Sequence, residues 1–197
     1  MYFTLGKKKS SFELITHSDA DWAGNYDDRT STSAYISFLG VNPISWSSKK
    51  QRVVVRSSTK AEYRALANAA SETSWLLSSF KELGLPLSGQ PKLLCDNLGA
   101  THLSFNPVQH SQMKHIQIDL HFVRDMVQRG VLNVHHVNTQ DQLANLLTKG
   151  LLCQRIEILR DKIGLADGSS ILPGHITKAS SNQENPSNPA TKMIADS

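Results

Sequence analysis

Cysteine is nearly missing from this 197-residue chain, with Cys95 and Cys153 its only two. Two thiols are too few for a disulfide framework or a cysteine zinc site, so a reducing, intracellular compartment is expected. Long apolar runs are missing too. No stretch approaches the ~18 consecutive apolar residues that a membrane span needs, which argues against a membrane role. The opening MYFTLGKKKSS has neither a long apolar run nor a small-residue cleavage site, so no secretory signal is expected. Aromatic residues make up 7% and charged residues 19%, against 39% hydrophobic, a balance that suits a soluble core. Acid is in deficit: 17 Asp and Glu face 21 Lys and Arg, for a formal net charge of +4.

The basic excess has a location. Lys49, Lys50, Arg52, Arg56, Lys60 and Arg64 fall in one short stretch whose single acid is Glu62. Such a stretch suits a phosphate backbone, and it equally suits a solvated loop leading into a helix.

Regular elements follow from periodicity and from turn residues. FELITH (12–17) reads as a strand, followed by a polar loop over 22–32 and then by AYISFLG and ISWSS, two strands joined by a turn at Gly40–Pro43. These make an antiparallel meander. A long helix comes next, opened by a Thr59-x-x-Glu62 capping box and closed by Gly84 and Pro86. KLLCD is a short buried strand, NLGATHLSF a short helix, 116–128 another helix, and LNVHHV a fifth strand. QDQLANLLTK reads as one further helix opened by Thr139, which puts Asp141 and Asn145 on one face, and 151–164 as an amphipathic one. From about Ala166 the chain turns to Ser, Asn, Pro and Gln with few large apolar residues. Such a segment buries too little surface to offset its ordering entropy and is expected to be disordered. The expected organisation is a domain over 1–165, with its core in 12–150, and a tail over 166–197. Its class is α/β, a mixed sheet flanked by helices.

Acidic side chains sit at the ends of these elements. Asp19 follows the first strand, Glu62 lies in the first turn of the long helix, and Asp96 ends the fourth strand. Carboxylates gathered from separate elements repel one another unless a cation lies among them, and Mg²⁺ takes oxygen ligands of this kind. Each residue also has a local reading: Glu62 in its capping box, Asp19 in a turn, Asp96 capping the helix after it. The histidines do not match a zinc pattern: His110, His115 and His121 have the wrong spacing, and adjacent His135 and His136 must face opposite ways in a strand. Trp22, Trp46 and Trp75 read as core or sheet-edge residues, with base stacking by Trp22 as an alternative.

SDADWAG, DDRTSTSAYISFLG, ISWSSKKQ, RSSTKAEYRAL, CDN, MKHIQIDLHFVRD and QLANLLTKGL occur in that order between Ser18 and Leu151. Together they closely resemble the ribonuclease H region of copia-type LTR retrotransposon Pol polyproteins, of the kind found in plants. The resemblance implies a ribonuclease H-like fold, with a five-stranded mixed sheet flanked by helices. It implies metal ligation by Asp19, Glu62 and Asp96, with Asp21 in a structural or supporting role. The fourth catalytic position falls on Asn145, where the family carries an Asp; Asp141, one turn earlier, either compensates for it or favours the positive end of its helix inside a Thr139-x-x-Gln142 capping box. The implied activity is endonucleolytic cleavage of the RNA strand of RNA–DNA hybrids by two-metal-ion phosphodiester hydrolysis, with Mg²⁺ (or Mn²⁺). The basic stretch then supplies the nucleic-acid contacts: Lys49, Lys50, Arg52, Arg56, Ser58 and Lys60. In that family the region follows a reverse transcriptase, so such an enzyme is an expected partner in the parent polyprotein and the chain is expected to be a detached fragment. The alternative expectation is a weakened or inactive remnant that binds nucleic acid at most.

Overall fold

The computed structural model describes residues 12–106 and 116–165. A five-stranded sheet runs in the order β3-β2-β1-β4-β5. β1 (Leu14–Asp21), β2 (Thr32–Leu39) and β3 (Asn42–Lys50) form the expected antiparallel meander. β4 (Lys92–Cys95) runs parallel to β1, and β5 (Asn133–His136) runs parallel to β4.

β1 is longer than the sequence suggests. The SDAD segment, which has the composition of a turn, is its second half, so Asp19 lies within the strand rather than after it. The physical reason is its central place in the sheet. Thr16, His17, Ser18, Asp19 and Ala20 are all buried, and a strand covered on both faces loses the alternation by which strands are recognised. The β2–β3 turn is tighter than expected. Gly40 takes φ +62, Leu39 pairs with Asn42, and Pro43 lies in β3, an edge strand that tolerates a residue without an N–H.

α1 (Ser58–Glu82) packs along the sheet through buried Ala61, Ala65, Ala69 and Ala70, whose small side chains let helix and sheet approach closely. Gly84, at φ +64, ends the helix, with Leu85 N–H donating to the Phe80 carbonyl at 2.9 Å. The Thr59-x-x-Glu62 capping box does not form. Ser57 is the N-cap and makes no side-chain cap bond, and Glu62 is one turn inside and buried. α2 (Leu98–Phe105) and α3 (Gln117–Gln128) complete this side, and Tyr63, Leu66, Leu93, Ile116, Val123 and Val134 form its core. Full burial of one such side chain contributes about 1.5–3 kcal/mol.

Elsewhere, Ile36 and Phe38 of β2 pack with Leu143, Ala144, Leu159 and Ile163. The last two belong to α5 (Cys153–Ile163). QDQLANLLTK is not one helix. A 3-10 turn over Thr139–Asp141 is followed by a separate short helix, α4 (Asn145–Thr148). The break falls at Gln142, whose side chain is fully buried against the sheet instead of capping a helix. Asn138 caps the turn, accepting from the Gln140 N–H. The segment 166–197, expected to be disordered, lies outside the described residues, as do His110 and His115.

Candidate active site

Asp19 sits on the central strand with no solvent exposure. β1 and β4 pair through Ser18 and Cys95, so Asp19 and Asp96 lie one step beyond the last paired residues of two neighbouring strands. Asp96 itself falls just past β4 and does not cap the helix that follows; the Asn97 side chain does, accepting from Ala100 N–H at 2.9 Å. Glu62 reaches the same place from α1, where its Oε2 accepts from the backbone N–H of Ala20 at 3.1 Å. Glu62, Cys95 and Asp96 present ligand atoms that all lie within 4.8 Å of one another.

The electrostatics record this crowding. Burial, and then the charges of Asp19 and Asp96, push the Glu62 carboxyl up to about 9, against smaller relief from Lys149 and the Ala20 N–H. Burial also raises Asp19, opposed by the Lys149 charge and the Thr148 hydroxyl. The Cys95 thiol is pushed up as well, first by burial and then by Glu62. Carboxyl groups crowded so that Asp19 and Asp96 oppose the charged form of Glu62 are a donor set that fits a hard divalent cation.

Asn145 is buried at the start of α4, and its side-chain N–H donates to the Thr139 carbonyl at 3.1 Å. Its Oδ1 accepts from Lys149 Nζ at 2.5 Å, and the same ammonium donates to Asp19 Oδ1 at 3.1 Å. The Thr148 hydroxyl donates to the other oxygen of Asp19. The structure therefore gathers Asp19, Glu62, Asp96 and Asn145 in one place. It does not bring Asp141 there: that residue is exposed and pairs with Lys162 at 2.5 Å. Asp21 shares the Asp19 face of β1 by alternation, but its carboxylate lies over the backbone of the following loop, filling the space a Cβ on Gly24 would need.

Sequence reasoning missed Thr148 and Lys149 and read Gln142 as part of a helix cap. Gln142 Nε2 donates to the carbonyls of Ser18 (2.9 Å) and Leu94 (3.3 Å), and its Oε1 lies 3.2 Å from Nδ1 of buried His17. This ties the segment carrying Asn145 to β1 and β4. Spacing from Asn145 was the only available signal for Thr148 and Lys149, which follow it by three and four positions.

The basic positions are spread over several settings. Lys49 and Lys50 are exposed at the end of β3, and Lys50 stands 3.8 Å from Asp28. Lys49 lines a cleft with Tyr35, Asn68 and Glu72. Arg52 and Arg56 are exposed between β3 and α1, while Ser58 and Lys60 fall in the first turn of α1. None of the tryptophans is in the core. Trp46 and Trp75 are well exposed, and Trp22 is half-exposed with its indole N–H donating to the Val55 carbonyl at 2.9 Å.

No protein-family model matches the chain. It is 55% identical over 159 residues to the retrovirus-related Pol polyprotein from transposon RE1 of Arabidopsis thaliana, a match covering 81% of this chain and 11% of that protein. The corresponding polyprotein from transposon TNT 1-94 of Nicotiana tabacum is 35% identical over 152 residues, covering 77% of this chain and 11% of its own length. The chain thus spans about a tenth of the curated relatives it matches. Among solved structures, LC11-RNase H1 in complex with an RNA/DNA hybrid superposes with a TM-score of 0.51 at 14% identity, covering 69% of this chain and 94% of that one. By sequence and by fold, the chain belongs to the copia-type retrotransposon Pol polyprotein family and represents a segment of it with the ribonuclease H fold.

Proposed function

We propose that the chain is a ribonuclease H-type endonuclease that hydrolyses the RNA strand of RNA–DNA hybrids. The observation that carries this reading is the convergence of three acids from β1, α1 and the end of β4: Glu62 and half-buried Asp96 present ligand atoms within 4.8 Å, and the charge of buried Asp19 bears on Glu62 from beside them. Asp19, Glu62 and Asp96 would hold divalent cations, Mg²⁺ or Mn²⁺. Such ions activate a water for attack on the phosphodiester and stabilise the leaving oxygen. The protein's part is placement. Strand pairing fixes Asp19 and Asp96, and the Ala20 N–H orients Glu62. The exposed arginines at 52 and 56, with Lys49, Lys50, Ser58 and Lys60, would contact the backbone of the hybrid, and 2′-hydroxyls would distinguish its RNA strand. In a parent polyprotein, a reverse transcriptase would supply the hybrid. The test is cleavage of a labelled RNA–DNA hybrid by the purified chain in Mg²⁺ or Mn²⁺. An uncut hybrid at enzyme excess overturns the proposal.

A second reading is favoured by one residue. Asn145 offers an amide oxygen where the family resemblance implies a carboxylate, and that oxygen is already bonded to Lys149. A chain weakened in this way binds hybrid without cutting it. Salt-dependent binding in the absence of cleavage is its signature.

A further inference from the structure

Both oxygens of Asp19 are engaged by side chains from the end of α4. Thr148 holds Oδ2, and Lys149 Nζ holds Oδ1 at 3.1 Å while also donating to Asn145 Oδ1 at 2.5 Å. Asp19 is fully buried, whereas the Lys149 side chain is about one-third exposed, so the ammonium enters the cluster from its solvent side. The rest of the cluster is built differently. There Glu62 and Asp96 converge with Cys95, and all three ligand atoms lie within 4.8 Å of one another.

A divalent ion such as Mg²⁺ sits about 2.0–2.1 Å from each oxygen ligand. An ion bound to both Asp19 Oδ1 and Asn145 Oδ1 would therefore occupy the space the ammonium fills, and the two cations would repel at that range. Asn145 sharpens the competition. A neutral amide attracts a doubly charged ion less strongly than a carboxylate does, whereas it remains a good acceptor for an ammonium N–H.

We propose that Lys149 is the second cation of this site: the chain takes one divalent ion, at the Glu62–Asp96 side, and the Lys149 ammonium holds the Asp19–Asn145 side in place of another. This rests on the reading of the cluster as a metal-dependent nuclease site. It assigns Lys149 a positioning role, fixing the charge of Asp19 and the number of ions bound.

Mn²⁺ titration of the full chain by calorimetry tests this without recourse to activity. One ion is expected on the unaltered chain, two on Lys149→Met, and one on Lys149→Arg, which keeps the positive charge. The count on the unaltered chain stands as a test even where a variant fails to fold. Two ions on the unaltered chain, or no added ion on folded Lys149→Met, overturns the inference and leaves metal-dependent cleavage standing. No ion on either protein removes the metal-dependent reading itself.

Discussion

The side-chain amide of Gln142 donates to the backbone carbonyl of Ser18 at 2.9 Å, joining residues 124 positions apart next to Asp19. Its second acceptor is the Leu94 carbonyl of β4, so one fully buried side chain ties the α4 segment to the two strands that carry Asp19 and Asp96. Gln142→Ala leaves these groups without partners in a dry setting. A loss of about 2–4 kcal/mol is expected, since each buried polar group left unsatisfied costs about 1–3 kcal/mol. Urea denaturation measures the loss, and hydrogen exchange should show the amides of residues 142–148 opening before those of β1.

His17 makes the same junction sensitive to pH. Burial holds its imidazole down to about 4, against an ordinary value of 6.5, and the Gln142 side chain only partly opposes this. The unfolded chain therefore takes up a proton that the folded chain refuses. The stability tied to His17 is complete above about pH 6.5 and falls as pH drops toward 4, by up to about 3 kcal/mol. His17→Asn should flatten that part of the stability–pH curve between pH 7 and 5, where denaturant midpoints give a direct comparison.

Glu62 sets function against stability. In metal-free protein its charged form is opposed by burial and by two neighbouring carboxyl groups. Glu62→Gln keeps the shape and the acceptor for the Ala20 N–H while removing that conflict. At pH 8 with a chelator, it should be more stable than the unaltered chain by about 1–2 kcal/mol. The same variant should show no hybrid cleavage and a smaller rise in Tm on adding Mn²⁺.

Asn145→Asp places a charge beside Asp19 and within reach of Lys149. Cleavage at fixed Mg²⁺ should rise about tenfold or more, the scale expected for one added charge at contact distance in a partly buried site. A variant no faster than the unaltered chain would show that the fourth position contributes nothing to turnover.

Arg52 and Arg56 are exposed between β3 and α1. Replacing both with Gln should weaken hybrid binding evenly across sequences. Each lost phosphate contact should lower the slope of log affinity against log salt by about 1. Fluorescence anisotropy at several salt concentrations reads both effects, and an unchanged slope would place the nucleic acid elsewhere.

The order of elements was legible because turn residues and helical spacing mark it. Gly84 ends α1, and the apolar run of β4 stands between polar segments. Asp19, Glu62 and Asp96 stood out through their motifs, and Asp96 stands at the end of β4 as expected, but the local settings inferred for Asp19 and Glu62 were wrong. Asp19 looked like a turn residue because β1 is buried on both faces and shows no alternation. Glu62 matched a capping box whose geometry the backbone does not adopt. Gln142, Thr148 and Lys149 left only a faint local trace, a capping-box match for the first and helical spacing from Asn145 for the others. Their roles lie in bonds to residues 124 to 130 positions away, and nothing in the spacing of nearby residues encodes such partners.

The distance between Asp19 and Lys149 along the chain also sets when the site can exist. Asp19 lies on the first strand, and the side chains that hold its two oxygens arrive 129 and 130 positions later. During synthesis, β1 to β3 are complete long before α4 emerges, and a growing chain that ends short of Thr148 carries every acid of the cluster without its closing contacts. The centre is assembled last. A truncated product can hold most of the sheet and still lack the arrangement on which any cutting depends.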